Sequence, residues 1–495
     1  MKTVLFFDRL ALTKLYILMS CELQKYDDIK VVHVAYCDDD VKLLRDAGIK
    51  NYIHYKELLS QTLEEVKITK TLLKEIDDLI ISESKGRFTM NGSIQSDRCF
   101  SILTYEEAIK LSAAHYLVWK GIFSKGHIDI VYHEPCSMFM THILAMLCKA
   151  QGGIFRYPTQ EASDKDYYTY LNIDGENFKC PELEERYHYY KQHTDKIDRV
   201  RCTAYLDKFR KEFNVFMGDM FSHKRVSVVW LHISSIKCKL LSLLKKHTFD
   251  NYVDLIELWQ TRQNISQKRL HNIIEYRRKN ISFITDIPQG EQYYYYSIHL
   301  EPEATVLYLS DGIYTNQIKL IENIAASIPA GCYLYVKDHP HEYAYRSADD
   351  YERLLKIPNV RLIDQFISGK KLIAGSIGVF TINGTAGLEG LLLGKQVFCF
   401  GHSYYSFHPY VNYIHNVRDI RKIVYASGGA ERLIDDTVLA YVNAYFDALH
   451  KGFVTYFGIR PEGSVINPQE NACIIVEDLV AELRAIKKQE CNNKC

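Results

Sequence analysis

The chain has 495 residues, 47% of them apolar and 25% charged, which is more than one core packs and too apolar for a disordered polymer. Lys plus Arg number 61 and Asp plus Glu also number 61, so the basic excess of nucleic-acid proteins is missing. The 13 cysteines show neither C-x-x-C pairs nor zinc-ligand spacing and read as reduced thiols. Asp8 interrupts the first apolar run and no stretch reaches about 18 apolar residues, which predicts a cytoplasmic protein without a signal peptide or membrane span.

Residues 2–7, 29–36, 52–55, 128–133 and 154–157 carry strand patterns. Helical spacing lies between them at 39–47, 58–81, 105–123 and 137–150. Such alternation predicts a parallel sheet with helices on both faces. From residue 158 to 290 strand signals are rare, charges are dense and apolar residues recur at helical spacing. This predicts a helical insertion or bridging region. Within it, residues 233–247 (ISSIKCKLLSLLKKH) are apolar on one face and carry Lys237, Lys239, Lys245 and Lys246. The ordinary expectation is a core-facing helix with a solvated basic end. The alternative is peripheral contact with an anionic surface such as the inner membrane.

A second alternating block has strands at 293–299, 332–336, 360–363, 379–382 and 397–400, with helices between them, among them 316–327 and 388–393. Helical segments near 417–425, 430–449 and 468–488 close the chain before a polar tail. The predicted domains are 1–157, 158–290, 291–415 and 416–495. The fold class is α/β: two Rossmann-like domains facing a cleft, with a helical insertion and C-terminal helices packing back across the domains. That is the GT-B layout. The 37 tyrosines suit carbohydrate or lipid-linked ligands.

Two strand-end turns carry the strongest chemical signal. The strand YLYVK runs into Asp338, His339 and Pro340. Pro340 ends the strand and leaves His339 at its edge, where an imidazole can donate to a phosphate oxygen. Lys337 and Asp338 point to opposite faces. The strand VFTI runs into Asn383, Gly384, Thr385 and Ala386, and a helix follows at once. Gly384 and Gly387 permit a tight turn and a close approach. Thr385 is placed to cap the helix, whose N-terminus attracts negative charge. Glu389, one turn on, can bond a sugar hydroxyl or orient Thr385. His402, Ser403 and Tyr404 follow the next strand and can line a sugar pocket. Glu301 and Glu303 follow the first strand of this block.

In the first block His133, Glu134 and Pro135 end a strand. Glu134 is a candidate base for an acceptor hydroxyl, or a cap for the helix that follows. Asp8, at the end of the first strand, is a second catalytic candidate. Asp38, Asp39 and Asp40 open a helix, where acidic residues favour the dipole, and are not read as a metal site. Ser310, Asp311 and Gly312 read as a turn. No metal ligands and no P-loop are expected.

The blocks HLEPEAT (from His299), VKDHP (from Val336), PNVRLID (from Pro358) and TINGTAGLEGLLLGKQVFCFG (from Thr381), with Tyr314 and Gln317, resemble the capsule polysaccharide biosynthesis family. That family includes GT-B glycosyltransferases of bacterial surface polysaccharides, Kdo transferases among them. The resemblance covers residues 293–401 well and the first block only in outline. It implies that His339, Pro340, Gly384 and Thr385 bind the donor's nucleotide phosphate, with Glu389 nearby. It also implies metal-independent chemistry. Gln396 departs from the family pattern, which often has Pro after Gly-Lys.

The expected activity is therefore transfer of a sugar from a CMP- or UDP-linked donor to a growing capsule or lipopolysaccharide-type glycan. The donor is a substrate and no cofactor is expected. The acceptor is a glycan or a lipid-linked glycan, and nucleic acid is not a partner. The alternatives are a nucleotide-sugar epimerase of the same architecture, a polyol-phosphate transferase, and a non-catalytic glycan- or nucleotide-binding assembly protein.

Overall fold

The computed structural model describes residues 1–9, 12–160, 167–172, 179–211, 227–244, 255–428, 435–454 and 464–492. The chain divides into two compact units. One is Met1–Glu176 with Ala448–Cys495; the other is Asn177–Asp447.

The first unit holds a seven-stranded sheet. Its strands are β1 (Lys2–Asp8), β2 (Ile29–Ala35), β3 (Tyr52–His54), β4 (Ile130–Tyr132), β5 (Ile154–Gln160) and β6 (Tyr167–Asn172), with His450–Lys451 at the edge beyond β6. β1 lies between β2 and β4, parallel to both. Val4, Leu5, Phe6 and Phe7 are all buried, as a central parallel strand covered on both faces requires. Phe6 stacks on Tyr16 of the helix Leu12–Leu23, with ring centroids 4.8 Å apart. Phe7 meets Trp119 of the helix Tyr105–Phe123 edge-on at 5.0 Å. The helix Pro468–Asn492 adds Ile475, Val476 and Leu479 to the core on the Phe6 side.

The second unit holds a six-stranded sheet. Its strands are β7 (Gln292–Ser297), β8 (Cys332–Lys337), β9 (Val360–Ile363), β10 (Gly378–Thr381), β11 (Gln396–Cys399) and β12 (Val411–Tyr413). The order is β12-β11-β10-β7-β8-β9 and every neighbouring pair is parallel. The chain thus winds outward from β7 through β8 to β9, then returns to the other side of β7 for β10. This is the doubly wound order, with its switch point between β7 and β10. The first unit repeats the scheme, with β1 and β4 flanking the switch point.

The α/β class and the ten predicted strands stand, with ends shifted by at most three residues. Several boundaries move. The helical region does not begin at 158, because β5 continues to Gln160 and β6 returns antiparallel to it. The helices Pro181–Gln192, Arg199–Lys211, Val228–Leu244, Leu255–Gln263 and Ile265–Arg278 belong to the second unit and form no separate domain. Segment 58–81 is two helices, Tyr55–Glu65 and Lys70–Glu83, because the Thr69 hydroxyl caps a new start by accepting from Leu72 N at 3.2 Å. The closing segment 416–495 is divided: Asp436–Asp447 packs on Pro181–Gln192 in the second unit, and Pro468–Asn492 packs on Leu12–Leu23 in the first. Residues 245–247 and 430–434 of predicted helices lie outside the described residues.

The tyrosine excess has a structural use. The four tyrosines of β7, Tyr293 to Tyr296, are buried. Tyr293 stacks on Tyr335 at 3.9 Å and donates to Leu372 O at 2.8 Å. Tyr296 donates to Gln317 Oε1 at 3.0 Å. These rings are core, not ligand surface.

Candidate active site

In the second unit the loops after β7, β8, β10 and β11 emerge at one carboxyl edge, since all four strands are parallel. They bring His299, His339, Asn383 to Ala386, and His402 with Ser403 to that edge. His299 lies at the switch point and was not among the residues singled out from sequence. A Cβ on Gly384 would stand 2.9 Å from His299 Nε2 and 3.2 Å from Thr381 Oγ1, so glycine makes room for the imidazole. Both ring nitrogens of His299 are buried without hydrogen-bond partners among the described residues. Burial pulls its pKa down to about 4, so the ring is neutral at physiological pH.

Gly384, not Thr385, is the N-cap of the helix Thr385–Leu392, and no side chain caps it. Thr385 is the first helical residue and its side chain is exposed. The amides of Thr385 and Ala386 therefore open the first turn at the switch point, where a helix attracts anions. Ala386 turns its methyl into the core. Gly387 is helical, and its missing Cβ admits the Tyr405 ring, whose hydroxyl donates to Gly384 O. Both glycines thus serve close packing. Asn383 faces inward: its amide donates to Ser310 Oγ at 2.8 Å and pins the loop after β7.

His339 caps the single turn Pro340–Glu342, its Nδ1 accepting from His341 N at 3.2 Å. The neutral ring then carries its proton on Nε2. His339 and Pro340 are half-buried, and the His339 ring stacks on His341 at 5.3 Å.

A buried ionic network holds these loops. Arg346 donates to Asp338 through Nε at 2.8 Å and Nη2 at 3.2 Å, and to Glu301 Oε2 through Nη1 at 3.0 Å. Tyr351 also donates to Asp338. Gln317 donates to Glu301 Oε1 at 2.6 Å and to His299 O at 3.0 Å, and accepts from His299 N at 2.9 Å. Glu301 is thereby a brace for the loop after β7. Glu303 is half-buried and precedes the short helix Ala304–Leu307 without capping it. From behind, the helix Ile265–Arg278 grips the backbone after His339. Asn272 donates to Ala344 O at 3.1 Å and Tyr345 O at 2.9 Å; Arg269 and Tyr276 donate to His341 O and Arg346 O.

Three titratable groups lie under this edge. Lys337 is buried and donates to Gln365 O at 3.1 Å and Asp338 O at 3.3 Å, so its ammonium is an internal brace. Burial pulls its pKa down to about 8, with Asp338 and Glu389 opposing. Desolvation pushes Glu389 up to about 7 against Lys370 and Lys337. Desolvation, then the charge of Asp338, pushes Glu342 up to about 8, and its Oε2 is buried without a partner among the described residues.

His402 and Ser403 line a cavity of about 240 Å³ with Lys179, Glu184, Tyr413 and His415. His402 stacks on Tyr413 at 4.7 Å. Ser403 is buried and its Oγ has no partner among the described residues.

In the first unit Asp8 and Arg9 end β1, and His133 and Glu134 follow β4, so the two pairs flank that unit's switch point. Arg9 Nη1 donates to Glu134 Oε1 at 2.6 Å across it. Glu134 is an ion-pair partner here and caps no helix; the helix that follows starts at Phe139. Asp8 is fully buried and lies 3.0 Å from His33 Nδ1, a placement that lets it orient His33. Desolvation pushes Asp8 up to about 6 against the His33 bond. A cavity of about 610 Å³ lies at the opposite edge of this sheet, beside Thr3 and Ile29, away from these residues. Asp40 is the N3 residue of its helix and accepts from Thr13 Oγ1 at 2.7 Å. Among the described residues no three His, Cys, Asp or Glu side chains are grouped to hold a metal ion.

Two units with doubly wound parallel sheets, one with a polar carboxyl edge, define an α/β protein. Residues 211–410 match the sequence profile of the family described as capsule polysaccharide biosynthesis protein. That stretch contains the motifs from His299 to Gly401 that resemble this family. Among curated proteins none matches the sequence. Solved structures that align include a β-Kdo 2,7 transferase, KpsC of Thermosulfurimonas dismutans, at 12% identity over 66% of this chain and 80% of that one, TM-score 0.31. The UDP-GlcNAc 2-epimerase of Methanocaldococcus jannaschii aligns at 10% identity over 97% and 100%, TM-score 0.24. The S. aureus MnaA–UDP complex aligns at 10% over 99% and 97%, TM-score 0.27. Overlays this loose carry no functional detail.

Two predictions test the edge. Arg346→Ala strands Asp338 and Glu301 without their cation and should destabilise the second unit by roughly 3–5 kcal/mol in urea unfolding. Glu342 has an ordinary pKa of 4.5 and a folded pKa of about 8, so the folded unit keeps a proton that the unfolded chain loses. Its contribution to stability therefore declines as pH rises from 4.5 to about 8. Glu342→Gln should flatten that decline and raise the thermal midpoint towards pH 8, while leaving it unchanged near pH 4.5.

Proposed function

We propose that the protein is a cytoplasmic, metal-independent glycosyltransferase of GT-B type. It moves a sugar from a CMP- or UDP-linked donor to a growing capsule or lipopolysaccharide-type glycan. The observation that carries this reading is the switch-point edge of the second unit. His299 packs against Gly384 there, the helix Thr385–Leu392 opens beside it, and His339 ends the neighbouring strand, all within the family-matched stretch.

In this reading the donor's phosphate sits on the amides of Thr385 and Ala386. His339 Nε2–H donates to it, and Pro340 holds that imidazole at the strand end. The acceptor hydroxyl attacks the anomeric carbon, the bond from that carbon to the phosphate oxygen breaks, and the nucleotide departs with the electron pair. The helix terminus and His339 stabilise the charge that develops there. Glu389, with its pKa near 7, is suited to hold a hydroxyl of the donor as donor or acceptor. His402 and Ser403 offer their cavity to the sugar. Lys337, Asn383 and Glu301 shape the edge from beneath, and Glu303 stands on the loop that they brace. In the first unit Glu134, oriented by Arg9, is our candidate to take the acceptor's proton.

His339→Ala should weaken binding of CMP or UDP by roughly tenfold to a hundredfold, the worth of one charge-assisted hydrogen bond. Calorimetry measures this, and unchanged circular dichroism confirms the fold; unaltered affinity would refute the phosphate assignment. Glu134→Gln should abolish transfer in a nucleotide-sugar panel with glycan acceptors while sparing nucleotide affinity. An epimerised donor appearing without acceptor would instead mark an epimerase.

A further inference from the structure

The helix Val228–Leu244 is built inside out for a soluble surface. Its inner face presents Leu231 and Ser235, both buried, and Ser234, whose Oγ accepts from Ser266 Oγ of the helix Ile265–Arg278 at 2.9 Å. Its outer face presents Val229, Ile233, Ile236 and Leu240. Their spacing of four, three and four residues draws one stripe along about 16 Å of helix. These four side chains and Trp230 are between 57% and 68% exposed. The sequence-based expectation of a core-facing apolar side is therefore not met by this stripe: Val229, Ile233, Ile236 and Leu240 face out, while Leu231, Ser234 and Ser235 face the protein.

Charge identifies the occupant. At 100° per residue Trp230 and Lys237 border the stripe on one side and His232 and Lys239 on the other. The helix contains no Asp or Glu, and Lys245 and Lys246 follow it in the sequence. An apolar stripe edged by lysines and an indole suits the headgroup boundary of an anionic bilayer. There the aliphatic side chains enter the acyl region, the lysine stems extend outward and the indole rests at the interface. No described helix is long and apolar enough to cross a membrane, so the contact is with one face. We propose that Val228–Leu244 is a monotopic membrane-docking helix that seats the second unit on anionic lipid. The assignment rests on this surface alone and not on the sugar chemistry.

The test uses the full chain with vesicles of phosphatidylcholine, with or without phosphatidylglycerol. The protein should co-sediment with phosphatidylglycerol vesicles, bind pure phosphatidylcholine more weakly, and lose affinity as salt rises. Tryptophan emission should shift to the blue on binding, and Trp230→Phe should remove that shift. Ile233→Glu with Ile236→Glu should lower vesicle affinity at least roughly tenfold, from the loss of two buried aliphatic side chains. The milder Ile233→Ser should lower it less. Both should leave thermal unfolding and nucleotide affinity unchanged, because the side chains are exposed. Lys237→Glu with Lys239→Glu should remove the preference for phosphatidylglycerol. Absence of binding to these vesicles, or binding unaffected by the Ile233 and Ile236 variants, overturns the proposal. So does self-association in solution that those variants abolish, which would make the stripe an interface between copies.

Discussion

The second unit's functional edge depends on one buried cation. Arg346 sits between Asp338, which precedes His339, and Glu301, which follows His299 in the loop after β7. The buried charges of Arg346 and Asp338, with half-buried Glu301 beside them, are tolerable only when each is paired and its hydrogen-bonding capacity is used. That demand fixes the geometry. Gln317 and Tyr351 occupy remaining acceptor positions, and the helix Ile265–Arg278 closes the loop from behind through Asn272, Arg269 and Tyr276. The two histidines at the edge are thus held by a frame that has no other outlet for its charge.

Around this frame the unit separates bracing groups from presenting ones. Lys337 and Asn383 carry conspicuous polar side chains, yet both turn inward onto carbonyls or a hydroxyl. What is left facing the edge is less conspicuous: two backbone amides at a helix start, a neutral imidazole beside a glycine, and a second imidazole whose Nδ1 is already engaged. Such groups bind an anion by oriented dipoles and need little reorganisation to do so. The first unit repeats the topology with different chemistry, since Arg9 and Glu134 neutralise one another across its switch point.

Much of this was legible in the chain. Continuous apolar runs marked every parallel strand whose two faces are buried, and the turns at His339 and Gly384 were visible because Pro and Gly punctuate strand ends. The strands β6, β12 and His450–Lys451 were not, because their own residues are mixed and, for His450–Lys451, the pairing partner β6 is distant in sequence. Arg346 was missed because it lies eight residues beyond Asp338 with no motif between them. His299 was passed over inside its motif because its importance comes from Gly384, eighty-five residues away. Thr385 was mistaken for the cap because hydroxyl residues usually cap helices, whereas here the glycine before it does.

Sequence alone determined the α/β class, the two-block plan, the family-matched stretch and the strand-end positions of His339 and Thr385, since local periodicity and turn chemistry are written in neighbouring residues. Tertiary structure alone decided which polar groups are spent inside the protein. Asp8 proved to be a buried partner of His33, Lys337 an internal brace and the β7 tyrosines core. It also decided that the apolar side of Val228–Leu244 faces outward, because the spacing of apolar residues marks a helix face but not what that face meets.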